Sequence, residues 1–269
     1  MSDLDLLRRH LLECGRVLLG YSGGVDSALL AVVARQTLGP ERFLAVIGRS
    51  ASYPEAQWRN ALELARRFDV PVVEIDTGEL SDPRYLGNPT NRCYFCKSEL
   101  WSRLQAVADA RGFDTIIDGT NADDLGEHRP GLQAAEERRV RSPLALLGWR
   151  KSEIRKLSRE LGIPAWDAPA SPCLSSRVVY GLEITPRRLR QVEDGEAYLR
   201  ELGVSGDLRV RHHGERARIE VLPEQMPVVR EAWSAVAARF GALGFAQVEL
   251  DPGGYRRGGL LALAPRLPA

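Results

Sequence analysis

The chain has 269 residues, enough for one large domain or for a main domain with a smaller companion. Its 44% hydrophobic and 27% charged residues are those of an ordinary globular protein, not of a disordered or fibrous one. A formal charge of +1 supplies no bulk field for a nucleic-acid partner; no apolar run of about 18 residues argues for a membrane span, and the acidic start Met1-Ser2-Asp3-Leu4-Asp5 lacks a signal-peptide core, so the expected location is the cytoplasm.

From the N-terminus, Leu4 to Cys14 has the apolar spacing of a helix, and Val17 to Tyr21 is a short apolar run suited to a buried strand. Ala28 to Gln36 reads as the following helix, stopped by Gly39-Pro40. Phe43 to Ile47 is a second strand, Pro54 to Phe68 a second helix, Pro71 to Ile75 a third strand and Thr115 to Asp118 a fourth. Strands separated by helices of this length imply right-handed βαβ units: an α/β fold with a doubly wound parallel sheet. Beyond Ser171 the pattern changes. Pro186 to Leu202 looks helical, Leu208–His212 and Arg216–Val221 look like paired strands about the turn at 213–215, Val228 to Phe240 looks helical and Ala246 to Leu250 is a last strand. The expected organisation is a main domain over residues 1–170 and a small C-terminal α+β domain over 171–269 that forms one wall of the site.

Ligands of such sheets bind where strands end, at their carboxyl edge, and the chemistry-bearing loops follow strands. The first is Ser22-Gly23-Gly24-Val25-Asp26-Ser27. Two glycines allow close backbone approach, a helix start directs N–H groups at an anion, and Ser22 and Ser27 add hydroxyls. Asp26 is out of place in a pure anion site unless it orients the loop or helps to hold Mg²⁺. The bland reading is a Gly-Gly turn with ordinary capping. A Walker A loop would need Gly-Lys-Ser/Thr, which is absent, so a P-loop kinase or GTPase is disfavoured.

The second loop is Asp118-Gly119-Thr120-Asn121-Ala122-Asp123-Asp124. Gly119 permits backbone approach to a nucleotide, and Asn121 and Asp123 present polar ends at the same edge. The competing reading is a helix start capped by Asn121 with a solvated acidic turn. Arg129-Pro130-Gly131 follows, with a basic residue able to meet phosphate. Cys93-x-x-Cys96 in Arg92–Lys97 suits metal or thiol chemistry, and Cys173 lies in Ser171–Arg177. In a reducing compartment these are not structural disulfides. Three thiols with one open position fit an iron–sulfur cluster, while unrelated loop thiols are the alternative. Cys14 reads as core. Arg209 and Arg211 share one face of a strand, and their forks suit phosphate; a solvated basic edge is the alternative.

The Ser22–Ser27 loop resembles the signature of the PP-loop ATP pyrophosphatases, which split ATP between its α- and β-phosphates and have the adenine nucleotide alpha hydrolase-like fold. The ordered series of all these loops resembles, over about residues 5 to 250, the LarE family: ATP-dependent sulfur transferases that make the nickel-pincer nucleotide cofactor of lactate racemase. The resemblance implies ATP with Mg²⁺ and a small-molecule nucleotide substrate, pyridinium-3,5-biscarboxylic acid mononucleotide, whose carboxylate is adenylated and becomes a thiocarboxylate. It implies nucleotide contacts from Ser22, Gly23, Gly24, Asp26, Ser27, Gly119, Thr120, Asn121, Asp123 and Arg129, and an anionic ligand at Arg209 and Arg211, with Arg177 a further anion contact. Cys93, Cys96 and Cys173 match the family's three-cysteine version, in which a [4Fe-4S] cluster carries an extra sulfide; in the one-cysteine version the cysteine matching Cys173 is sacrificed. A homo-oligomer and a sulfide-donor protein are the implied partners. The rivals are a tRNA thiolase of the same fold, which the near-neutral charge disfavours, and an amide-forming synthetase, which has no need of three thiols.

Overall fold

The computed structural model describes residues 3–126, 130–168, 172–256 and 258–260. Its contacts divide the chain into two compact units, residues 1–79 with 93–171 and residues 80–92 with 172–269. In chain order the first unit contains α1 (Asp3–Glu13), β1 (Val17–Gly20), α2 (Val25–Leu38), β2 (Phe43–Arg49), α3 (Glu55–Arg67) and β3 (Val72–Asp76). The chain then makes α4 (Pro83–Leu86), part of the second unit, before α5 (Arg92–Arg111), β4 (Thr115–Ile117), α6 (Pro130–Glu137), α7 (Pro143–Leu146) and α8 (Lys151–Glu160). Among the described residues no helix is long and apolar enough to cross a membrane.

All four strands of the first unit are parallel, in the order β3-β2-β1-β4. Alternate residues serve opposite faces, as the two-residue period of a strand demands. Val17, Leu19, Ala45, Ile47 and Ile117 join the core beneath α1, α2, α3 and α8. Leu18, Leu44, Val46 and Ile116 join a second core with Trp101 and Leu104 of α5 and Ala134 and Ala135 of α6. The sheet is therefore covered on both faces, as the doubly wound reading expects. The order of connection reverses beside β1, with β2 and β3 on one side and β4 on the other. In open α/β sheets that reversal opens the ligand crevice at the strands' carboxyl ends.

The second unit holds α9 (Pro186–Glu201), β5 (Leu208–His213), β6 (Arg216–Val221), α10 (Met226–Glu231), α11 (Trp233–Ala242) and β7 (Gln247–Leu250). Strands β5 and β6 are antiparallel, and β6 and β7 are parallel across the α10–α11 crossover. One helix was expected over Val228–Phe240; the structure breaks it at Ala232 (φ −91°, ψ 11°), where no glycine or proline marks the change. Leu208, Val210, Ile219 and Val221 pack on Leu199 of α9, Val229 of α10 and Val236 and Phe240 of α11.

Residues 80–92 are tied to 172–184 by a buried asparagine. Asn88 takes a positive φ of 50° and is fully buried. Its amide donates to the carbonyls of Val178 (3.2 Å), Val179 (2.8 Å) and Leu182 (3.0 Å), and its Oδ1 accepts from Arg92 (2.9 Å). Gly181 N–H returns a bond to the Asn88 carbonyl and Ile184 N–H one to Leu86. A buried acceptor that loses its donor costs about 1–3 kcal/mol. Asn88→Ala should therefore lower unfolding free energy by roughly 2 kcal/mol or more, read as a reduced urea midpoint with an unchanged slope; an unaltered midpoint would show that this amide does not fasten the segment.

Candidate functional site

The loop after β1 is shaped by close packing. Gly23 has φ +68°, and a Cβ there would lie 2.5 Å from the Ala61 Cβ of α3, so both the backbone angle and the space require glycine. Gly24 caps α2 in an extended conformation and offers no side-chain bond, and Ala28 N–H to Gly24 O is the first intrahelical bond. The N–H groups of Val25, Asp26 and Ser27 thus begin the helix uncapped by any residue at the cap position, an arrangement that receives an anion. The hydroxyls point inward: Ser22 N–H bonds Ser27 Oγ at 3.3 Å, the two Oγ atoms are 3.2 Å apart, and Ser27 Oγ donates to Gly24 O at 3.1 Å. The Ser22 carbonyl accepts from Tyr53 Oη (3.0 Å) and Gln57 Nε2 (2.6 Å).

The loop after β4 lies directly against the first. A Cβ on Gly119 would fall 3.0 Å from Ser27 N and 3.2 Å from Asp26 Cβ. Asp118, buried, accepts from Thr120 N (3.0 Å), Thr120 Oγ1 (2.8 Å) and Ser142 Oγ (2.7 Å), so Thr120 is engaged in shaping the turn. Asn121, also buried, caps the turn Ala122–Asp124 through Asp123 N–H (3.0 Å), while Asp124 accepts from Asn121 N–H (3.1 Å). The capping reading of this segment describes its local geometry. The same Asn121 also reaches across, its Nδ2 donating to Asp26 Oδ1 at 3.4 Å.

Asp26 does not stand alone among anion-seeking groups. Lys151, the first residue of α8, forms an ion pair and hydrogen bond with its Oδ2. The Lys151 N–H donates to Asp123 Oδ2 at 2.9 Å, so one residue joins both loops. Burial pushes the Asp26 carboxyl above its usual range, and Lys151 is the main influence holding it down. Of the two roles open to Asp26, this contact fits the orienting one; a phosphate-bound Mg²⁺, which takes one or two carboxylates, would find Asp26 and Asp123 at this edge. Lys151, Tyr53 and Gln57 were not singled out from the sequence.

Cys93 and Cys96 sit one turn apart at the start of α5, on one helix face, with Cys93 exposed and Cys96 half-buried. Gly131 lets α6 pack against that turn, since a Cβ there would lie 3.0 Å from Lys97 Cγ and 3.7 Å from the Cys93 carbonyl. The pair suits two ligands of one metal group. Among the described residues no set of three or more His, Cys, Asp or Glu side chains is gathered to hold a metal ion. Arg129 lies outside the described residues.

In the second unit, half-buried Cys173 precedes the turn Leu174–Arg177. Arg177 is buried and bidentate to Glu196 (2.9 and 3.0 Å); its Nη1 also donates to the Pro172 and Cys173 carbonyls and to Ser176 Oγ. Arg211 pairs with Glu220 (2.8 Å) and donates to the Ser176 carbonyl (3.0 Å). Arg209 donates to the Leu208 carbonyl and lies 5.1 Å from the Tyr255 ring. Burial, then the nearby Arg177 charge, lowers its pKa from the ordinary value. Both strand arginines lie on the face opposite Leu208 and Val210, as their spacing implies, and buried. Their alternative reading as a solvated edge is set aside. Arg177 and Arg211 fix the Cys173 loop through its carbonyls.

Residues 4–107 match the family model described as NAD synthase. The chain is 45% identical to an uncharacterized protein of Synechocystis sp., over 96% of this chain and 97% of that one. It is 34% identical to the pyridinium-3,5-bisthiocarboxylic acid mononucleotide synthase of Lactiplantibacillus plantarum, over 92% of this chain and 90% of that enzyme. A glutamine-hydrolyzing GMP synthase of Aeropyrum pernix is 27% identical over 67% of this chain but only 38% of its own length.

The ion pair at the two loops makes a direct test. In Lys151→Met the Asp26 carboxyl should titrate at higher pH than in the wild type, because burial persists without its main counterweight. Carboxyl carbon shifts followed by NMR read this, and an unmoved titration would show that the lysine does not govern Asp26.

Proposed function

We propose, because this chain belongs to the LarE family of pyridinium-3,5-bisthiocarboxylic acid mononucleotide synthases, that it adenylates a carboxylate of pyridinium-3,5-biscarboxylic acid mononucleotide and exchanges its oxygen for sulfur. The observation that carries the activating half is the uncapped start of α2, beside the Gly119 loop at the reversal of strand order. A carboxylate is a poor acyl electrophile. Attack by its oxygen on the α-phosphorus of ATP breaks the bond to the β-phosphate, and pyrophosphate departs with the electron pair. The Gly23–Ser27 backbone is proposed to receive that pyrophosphate, with the paired Ser22 and Ser27 hydroxyls holding the loop's shape. Bound Mg²⁺ would offset phosphate charge, with Asp26 and Asp123 the carboxylates able to reach it. A sulfur nucleophile then adds to the acyl carbon, and AMP leaves with the carboxylate oxygen.

Cys173 is the residue proposed to serve the sulfur step, and Arg177 and Arg211 position its loop. Arg209 is the basic residue proposed for an anionic part of the substrate. From the family resemblance, Cys93, Cys96 and Cys173 are proposed to hold a [4Fe-4S] cluster, which would supply a bound sulfide. A cytoplasmic homo-oligomer served by a sulfide-donor protein completes the reading.

Cys173→Ala separates the two halves. With ATP and the dicarboxylate nucleotide, this variant should release pyrophosphate but form no thiocarboxylate by mass spectrometry. Thiocarboxylate formed at the wild-type rate would remove Cys173 from the reaction. Iron and sulfide analysis after anaerobic purification identifies the sulfur source: iron-free protein that loses one sulfur atom at Cys173 per turnover would replace the cluster with a sacrificed cysteine.

A further inference from the structure

Two side chains outside the recognisable motifs converge on one atom of the anion loop. Tyr53, in the β2–α3 connection, and Gln57, in the first turns of α3, both donate to the Ser22 carbonyl. In a trans peptide the following N–H points away from the preceding C=O. Fixing the Ser22 oxygen toward Tyr53 and Gln57 therefore fixes the Gly23 N–H on the opposite side of that peptide. The loop has reason to need this restraint. Gly23 sits at φ +68°, and a glycine passes readily between left- and right-handed backbone conformations, so the Ser22–Gly23 peptide can turn over unless it is held.

The state of Gln57 separates a designed contact from an incidental one. Its Oε1 is buried without a hydrogen-bond partner. Turning the amide over would set Oε1 against the Ser22 oxygen, so the observed orientation is the only one that donates to it. An aliphatic side chain of similar size would fill the space with no orphaned oxygen, and a lone buried acceptor is destabilising. Tyr53 keeps its proton, since burial raises the phenol well above its ordinary pKa. Around them the surface is fastened: the Arg49 guanidinium lies 3.9 Å from the Trp58 ring, and Trp58 Nε1 donates to Glu74 at 2.7 Å.

We infer that Tyr53 and Gln57 are positioning residues of the adenylation site, which hold the Ser22–Gly23 peptide with its N–H available to the β- and γ-phosphates of ATP and to the pyrophosphate formed from them. The inference rests on the adenylation reading and adds to it the means by which the loop is held ready. AMP has neither of those phosphates, so its binding should be indifferent to the contact.

Titration calorimetry with Mg²⁺ and, in turn, ATP, inorganic pyrophosphate and AMP tests it on Tyr53→Phe, Gln57→Leu and the double variant. The double variant is expected to lose about tenfold or more in affinity for ATP and pyrophosphate, because the Ser22–Gly23 peptide is then free to turn over, with AMP affinity within about twofold of the wild type and unfolding still cooperative. Each single variant is expected to show part of the same loss. Unaltered ATP and pyrophosphate affinities in folded variants would overturn the inference, as would an equal loss for AMP. Should the double variant not fold, Tyr53→Phe, which removes only an oxygen, decides by the same comparison. Wild-type protein that binds neither ATP nor pyrophosphate would instead overturn the adenylation reading, and this inference with it.

Discussion

A helix must begin somewhere, and its first N–H groups have no preceding turn to bond. In α2 that obligation falls on Val25, Asp26 and Ser27, behind a cap residue that has no side chain. The start of α2 lies where the sheet changes its direction of winding, between β1 and β4. An anion satisfies such donors well, and the residues around them are closely fitted. Gly23 fits against Ala61, Gly119 fits against Ser27, and the buried Asp118 and Asn121 give the neighbouring loop its turn.

A carboxylate at an anion site is a conflict, and the structure resolves it by pairing. Asp26 has Lys151 on one oxygen and Asn121 on the other, and Lys151 carries the link on to Asp123. The negative charge is thereby turned into a tie between two loops. The second unit shows the same economy with opposite sign. Arg177 and Arg211 have Glu196 and Glu220 as partners, and their remaining donors hold the carbonyls of the Cys173 loop. Buried charges need partners, and Arg177 and Arg211 have theirs inside the fold.

The parallel sheet, its double winding and both glycine-bearing loops were legible because strand period, helix period and turn chemistry are local. So was the shared face of Arg209 and Arg211. What escaped was contact over distance. Lys151 is 125 residues from Asp26, and Tyr53 and Gln57 are 31 and 35 residues from Ser22. Residues 80–92 join the second unit through Asn88, whose acceptors lie 90 to 94 positions away, and nothing in their own pattern announces it. The long helix α5 was hidden for a different reason: its first turn carries the Cys93–Cys96 pair, which reads as a loop motif. The family resemblance reached the chemistry sooner than periodicity could, because it rests on the order of several loops at once.

The central claim is that the carboxylate is activated as an acyl-adenylate at the start of α2. Substrate labelled with ¹⁸O in its carboxylates, turned over once with unlabelled ATP, tests this directly by mass spectrometry of the nucleotide product. The account predicts one ¹⁸O atom in AMP and none in pyrophosphate. Label in inorganic phosphate with formation of ADP, or AMP free of label, would contradict it.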